Sequence, residues 1–208
     1  MADVWNARSF ARLRRVRRVR VEQGIVEPSR QGRHSRILDQ NTRMDPAPVV
    51  YAALDTLGIS YERHEHPAVF NSEDAAKYWD PIPGVQCKNL FLRNKKGDRH
   101  YLVVVGIGRR VDLKDLVKVV GDDRLSFGSP ERLMSKLGLT PGSVSPFGLI
   151  NDADGSVRVL IDSDLRGSER LIFHPNINTA SVVVSWADLE RFLATRRNTV
   201  RIVQLGTE

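Results

Sequence analysis

The stretch "VQCKNLFLRNKKGDRHYLVVVG" (Val85–Gly106) constrains the fold more than any other. Two apolar-rich runs of strand length flank Lys95-Lys96-Gly97-Asp98, a solvated turn, and runs joined so closely pair as a β-hairpin. One feature is out of place. The first run opens with Cys87-Lys88-Asn89, so a cation and an amide lead into apolar sequence. A lysine at the mouth of a strand either snorkels to water along its own methylenes or points into a pocket and holds an anion.

The rest of the pattern surrounds that hairpin with short helices and strands. Asp45 and Pro46 open a helix whose apolar stripe is Val49, Val50, Ala53, Leu54 and Leu57, stopped by Gly58. "ISYERHEH" alternates as a strand, and Ser72 caps a short helix, "EDAAKYW". Asp112 caps "LKDLVKVV" up to Gly121, and Ser129-Pro130 opens "ERLMSKL" up to Gly138. The loop "TPGSVSPFG" leads to a strand "LIN", a turn "DADG" and a strand "SVRVLID". Strands "RLIFH" and "TASVVVS", the helix "WADLERFLAT" and a strand "VRIVQL" complete the chain. No repeat is visible. The order is irregular and contains direct hairpins, so the fold class expected is α/β of the α+β type: a mixed, mostly antiparallel sheet with flanking helices.

Two units are expected, a leader over residues 1–43 and a domain over 44–208. The leader holds eleven arginines, no lysine and four acids, which accounts for the whole net charge of +7; the remainder balances 21 basic against 21 acidic residues. The basic character therefore says nothing about what the domain binds. An arginine-rich helix for RNA or a membrane surface, a transit-like segment, and sequence upstream of a true start at Met44 are open for the leader. The favoured expectation is disorder without function. With 41% hydrophobic and 27% charged residues the composition is that of an ordinary globular protein. A single cysteine excludes an internal disulfide framework and a multi-cysteine zinc site, and fits a reducing compartment. No apolar run approaches the roughly 20 residues a membrane span needs.

Several tempting signals carry little. Gly106-x-Gly108 follows a strand, but Val111 stands where a dinucleotide-binding turn has its third glycine. His64-x-His66 has no carboxylate or cysteine at ligand spacing, so surface histidines before Pro67 are the better account and no metal is expected. Cys87 has no activating histidine beside it and reads as packing.

Three stretches resist a purely structural account when taken together. Lys88-Asn89 begins a strand, Gly142–Gly148 is a loop whose glycines let backbone N–H groups approach a ligand, and Phe173-His174-Pro175-Asn176 ends an apolar run on polar side chains. Their sequence resembles the YbaK/ProX family of aminoacyl-tRNA deacylases, which is related to the editing insertion of bacterial prolyl-tRNA synthetase. The similarity runs from about Met44 to the end. It is carried by "HPAVFNSEDAA" (66–76), "KNLFLRNKKGDRHYLVV" (88–104), "LGLTPGSVSPFGL" (137–149) and "LIFHPNINTASVVVS" (171–185). The "FHPN" ending resembles the free-standing ProX-type branch.

What the resemblance implies is an enzyme, a carboxylic ester hydrolase that removes a wrong amino acid from the 3′ adenosine of tRNA without a cofactor. An aminoacyl ester is already activated, so such a catalyst mainly positions water and stabilises the oxyanion. Lys88 resembles the family's essential lysine, a fixed cation for the terminal phosphate or the ester; with an ordinary pKa of about 10.4 it acts by charge. Asn89 would orient the aminoacyl end, and Gly142, Ser143, Pro146, Phe147 and Gly148 would contact the amino acid and its carbonyl. His174 would border the side-chain pocket with Asn176 behind it, while Phe70 and Ser72 would belong to a lid. Lys88, His174 and the loop should then line one cleft.

The substrate implied is alanine on proline tRNA; alternatives are cysteine on proline tRNA, or a non-catalytic tRNA-binding module with the same fold. The partner implied is mischarged tRNA, with prolyl-tRNA synthetase or an elongation factor as transient partners. Localisation is expected to be cytoplasmic with no membrane contact, and both monomer and homodimer are open.

Overall fold

The computed structural model of the protein describes residues 45–68 and 81–205. The leader, the helix expected from Ser72 and the lid residues Phe70 and Ser72 lie outside the described residues.

Along the chain come α1 (Ala47–Thr56), β1 (Glu62–Glu65), β2 (Val85–Asn94), β3 (His100–Gly106), α2 (Leu113–Val120), β4 (Leu125–Phe127) and α3 (Pro130–Leu137). A 3₁₀ helix (Pro146–Asn151), β5 (Val157–Asp162), a second 3₁₀ turn (Ser163–Leu165), β6 (Leu171–Phe173), β7 (Ala180–Val184), α4 (Trp186–Ala194) and β8 (Val200–Val203) follow. The strands form one sheet in the order β1-β7-β6-β2-β3-β5-β8, with β4 beside β2. Four pairings are antiparallel (β1–β7, β2–β3, β2–β4, β6–β7) and three parallel (β2–β6, β3–β5, β5–β8). The sheet is mixed, antiparallel pairs predominate, and helices flank it, as the sequence indicates.

Capping chemistry sets the helices. Asp112 accepts from Lys114 N, Ser129 from Arg132 N and Ser185 from Asp188 N, and α2 and α3 end at left-handed Gly121 and Gly138. In α1 the buried residues are Ala47, Val50 and Leu54, while Val49 is 51% exposed and lies off the stripe.

Helices α1, α3 and α4 and the first 3₁₀ helix cover one face of the sheet, where Leu54, Phe91, Leu137, Phe147, Phe173 and Phe192 share the main core. On the other face α2 packs Leu116 against Leu92, Val103 and Leu160. A smaller cluster of Ile82, Ile172 and Val183, with Ile107 against it, lies beside β6 and β7.

Two local expectations change. Leu149-Ile150-Asn151 is not a strand: Pro146 fixes a helical φ, Ser145 accepts from Phe147 N, and the segment winds as 3₁₀. Lys88 is not at a strand mouth either, because β2 begins at Val85, whose N–H donates to Arg170 O at 2.8 Å.

Candidate active site

The site follows from where two parallel strands part. Val85 pairs with Leu171 and Gln86 with Ile172, and there the β2–β6 ladder ends. Beyond it β2 runs on with β3 and reaches β4 only at Leu92, so among the described residues no strand lies on the β6-side edge of β2 over residues 87–91. Continued in register, the ladder would have set Lys88 opposite His174. Paired residues share a face, so both belong to the face that carries Ile172, at the carboxyl end of β6.

The β1–β7 register supports this placement independently. His64 pairs with Ser181, which puts His66 diagonally across from Ser181 on the same face. The ring of His66 lies 6.0 Å from that of His174, and its Nε2 is 2.9 Å from Ser181 Oγ.

Lys88 is half-buried and its ammonium donates to the Ile107 carbonyl at 2.9 Å, in the turn that leaves β3. Burial lowers its pKa from the ordinary lysine value. It therefore neither snorkels freely to water nor forms an ion pair among the described residues. His174 is 8% exposed and its Nδ1 lies 3.0 Å from Ala180 O, the geometry of an Nδ1–H donating to a carbonyl. Burial, against the opposing Ala180 hydrogen bond and with a smaller push from His66, lowers its pKa and favours the neutral ring.

Asn89 points to the other face, with Cys87 and Phe91. Its Nδ2 donates to Val144 O at 3.0 Å, so the glycine loop is tied to β2 across the strandless stretch. Gly142 has φ +87°, a turn that side chains disfavour. Ser143 donates through Oγ to Thr140 O at 2.9 Å.

Of the loop residues singled out from sequence, Gly142 is partly exposed, whereas Ser143, Pro146, Phe147 and Gly148 are buried. The Phe147 ring meets Phe173 and Phe192 edge-on in the main core. A Cβ on Gly148 would stand 2.6 Å from Leu139 Cδ1, so this glycine serves close packing. These four hold the loop in place; Gly142 and Val144 are its accessible part.

Asn176 adopts φ +65°, uncommon for a residue other than glycine, and is 4% exposed. Its Oδ1 and that of Asn89 are buried acceptors without a hydrogen-bond partner. Such atoms are costly to leave unpaired, and Tyr51, Asp162 and Asn198 carry others elsewhere in the fold.

His66 is the residue that sequence reasoning passed over. It is half-buried, not one of two plain surface histidines, and only the pairing of β1 with β7 reveals it. Ser181 and His66 have the spacing of a nucleophile and its base, but Ser181 is wholly buried and unreachable by substrate. Cys87 is equally inert: it is 2% exposed and burial pushes its thiol up. Among the described residues no three His, Cys, Asp or Glu side chains gather to hold a metal, and no helix is long and apolar enough to cross a membrane.

Lys88 and His174 thus share one face of the sheet where β2 and β6 part, while Asn89 ties the glycine loop to the opposite face. Comparison with known proteins gives the class of protein. The sequence model of the aminoacyl-tRNA editing domain matches residues 66–192. The prolyl-tRNA editing protein ProX of Acetoanaerobium sticklandii is 42% identical over 162 residues, covering 78% of this chain and 99% of the relative. The prolyl-tRNA synthetase associated domain-containing protein 1 of Bos taurus is 36% identical over 144 residues, covering 67% and 84%. A crystal structure provisionally described as a trans-editing enzyme for prolyl-tRNA synthetase superposes with a TM-score of 0.61 at 25% identity, over 80% of this chain and 100% of that one. The chain belongs to the aminoacyl-tRNA editing domain family and is a deacylase, a hydrolase of the aminoacyl ester.

Proposed function

We propose that the protein edits proline tRNA in trans, hydrolysing the ester of tRNA charged with the wrong amino acid, and that alanine is that amino acid. The observation that carries the reading is the parting of β2 and β6, with Lys88 and His174 at one level on one face and the Asn89-tied loop behind them. The reading is supported by a prolyl-tRNA editing protein that is 42% identical over 78% of this chain.

In this reading the 3′ aminoacyl-adenosine enters the opening between the strands. Lys88 is the catalytic residue, leaving the Ile107 carbonyl for the terminal phosphate or the developing oxyanion. Water attacks the carbonyl carbon, the bond to the ribose oxygen breaks, and free amino acid and uncharged tRNA leave. The unpaired Oδ1 atoms of Asn89 and Asn176 suit N–H donors of the aminoacyl group. Gly142 and Val144 supply backbone to the amino acid, and His174 walls its side chain. A separate small pocket is needed because a synthetase gains only about 1–3 kcal/mol from a missing methylene.

The test is a deacylation panel with the purified protein on proline tRNA charged with Ala, Cys, Ser or Pro. Preferential release of alanine is expected. Preference for cysteine would move the assignment to the other substrate, and binding without turnover would make the protein a tRNA-binding module.

A further inference from the structure

We propose that His66 is a positioning residue of the site, fixing the plane and tautomer of His174 and so the wall of the aminoacyl pocket; this rests on the reading of His174 as that wall.

The geometry is a relay of three anchors. His66 Nδ1 lies 2.8 Å from Pro67 O, which requires an Nδ1–H donor, so its Nε2 accepts from Ser181 Oγ at 2.9 Å. With Ser181 fully buried in β7, that bond ties a residue just beyond β1 to the centre of a strand. The fixed ring then lies against His174 at an interplanar angle of 56°, while Ala180, next to Ser181 in β7, holds His174 Nδ1 from behind. One strand thus orients both imidazoles.

The arrangement also opposes charge on His174. Protonating it would set a cation beside His66 and on the same face as Lys88. The remaining ionisable groups on that face of β1, Glu62 and His64, are engaged with Arg170 and with each other. Neither β6 before His174 nor the 81–84 segment brings an acid. Burial and the placement of His66 favour the neutral ring, against the Ala180 hydrogen bond, which favours the protonated one.

The experiment follows the His174 ring nitrogens by NMR in the full chain, in wild type, His66→Phe and Ser181→Ala, alongside deacylation. His66→Phe keeps a ring but removes both hydrogen bonds. The expected result is an upward move of the His174 titration midpoint, a mixed tautomer signal, and a loss of about tenfold to a hundredfold in kcat/KM, as misplacement by about 1 Å costs. Ser181→Ala, which only removes the anchor, should move both readouts the same way by less. Unchanged His174 titration and tautomer in both variants would overturn the proposal. The two readings fail separately: a wild type without deacylase activity would sink the proposed function, whereas the NMR readout alone decides whether His66 sets His174.

Discussion

Lys88 and Asn89, neighbours in β2, face opposite sides of the sheet, and each is committed to a backbone carbonyl: Lys88 Nζ to Ile107 O at 2.9 Å, Asn89 Nδ2 to Val144 O at 3.0 Å. The first bond is expendable on substrate binding, because an ammonium has three donors and the turn carbonyl can turn to water. The second holds a loop. Substitutions at the two positions should therefore fail in different ways.

Lys88→Met keeps the aliphatic stem and removes the charge. Deacylation should fall by at least about a hundredfold, the scale of one lost electrostatic contact to the transition state, while the thermal midpoint stays within a few degrees. Activity assays paired with melting curves check this. A variant that keeps most of its rate would remove Lys88 from the chemistry, and loss of rate only in step with unfolding would leave it a structural lysine.

Asn89→Ala should cost stability as well. It strands the Val144 carbonyl, at about 1–3 kcal/mol, and frees the loop proposed to face the amino acid. The expected pattern is a lower melting temperature with a raised KM. A stable variant with normal KM would mean that the loop is held by the 3₁₀ helix alone.

Gly148→Ala separates packing from ligand approach. The new Cβ meets Leu139 Cδ1, and Leu139 is 1% exposed, so the clash cannot be relieved toward water. A loss of about 1–3 kcal/mol is expected, with substantial recovery in the Leu139→Ala background. If Gly148→Ala instead kept its stability and lost only activity, the glycine would belong to the ligand after all.

How much of this was legible beforehand depends on the range of the interactions. Helices α2 and α3 could be read because Asp112, Ser129, Gly121 and Gly138 act within a turn. The hairpin was legible because Lys95–Asp98 and the flanking alternation are local. The start of β2 was not, since Val85 is a strand residue only by donating to Arg170, 85 positions away. The segment after Ser145 reads as a strand because Leu149-Ile150 satisfies both patterns, whereas Pro146 and the Ser145 cap wind it as 3₁₀. Lys88, Asn89 and His174 stood out as polar groups against apolar runs. His66 did not, because its partner Ser181 lies on a strand from the far end of the chain.

The Glu62–Arg170 pair gives a pH-dependent check on the frame of the site. Arg170 bonds Glu62 with both guanidinium ends and donates Nε to Pro83 O, joining β1 to the segment before β2. The Arg170 hydrogen bond, chiefly, draws the Glu62 carboxyl from its ordinary 4.5 down to about 2. A depressed carboxyl contributes stability above its unfolded pKa and loses it as pH falls through the folded one. Glu62→Gln should therefore melt below wild type at neutral pH, by at most about 1 kcal/mol for so exposed a pair, and the gap should close between pH 4.5 and 2. A gap that persists at pH 2 would assign the effect to packing.

The selectivity of the pocket is the remaining step. His174 follows the end of β6, 8% exposed, with Nδ1 on Ala180 O, the His66 ring 6.0 Å away and the left-handed Asn176 two residues on. As the proposed pocket wall, braced on two sides, it would not yield to a larger side chain, and a prolyl ring would collide before its ester reached Lys88 and water. Steric exclusion of this kind discriminates more strongly than a missing contact, because overfilling a packed site forces strain of about 1–3 kcal/mol or more. His174→Ala should widen the pocket and raise hydrolysis of larger aminoacyl groups relative to alanine, by roughly tenfold to a hundredfold for that strain relieved. Alanine turnover should fall less than in Lys88→Met, since the cation and the loop remain. The measurement is the ratio of Ala- to Pro-tRNA hydrolysis in wild type and His174→Ala. An unchanged ratio would place the pocket wall elsewhere, and equal collapse of both activities would make His174 part of the chemistry instead of its boundary.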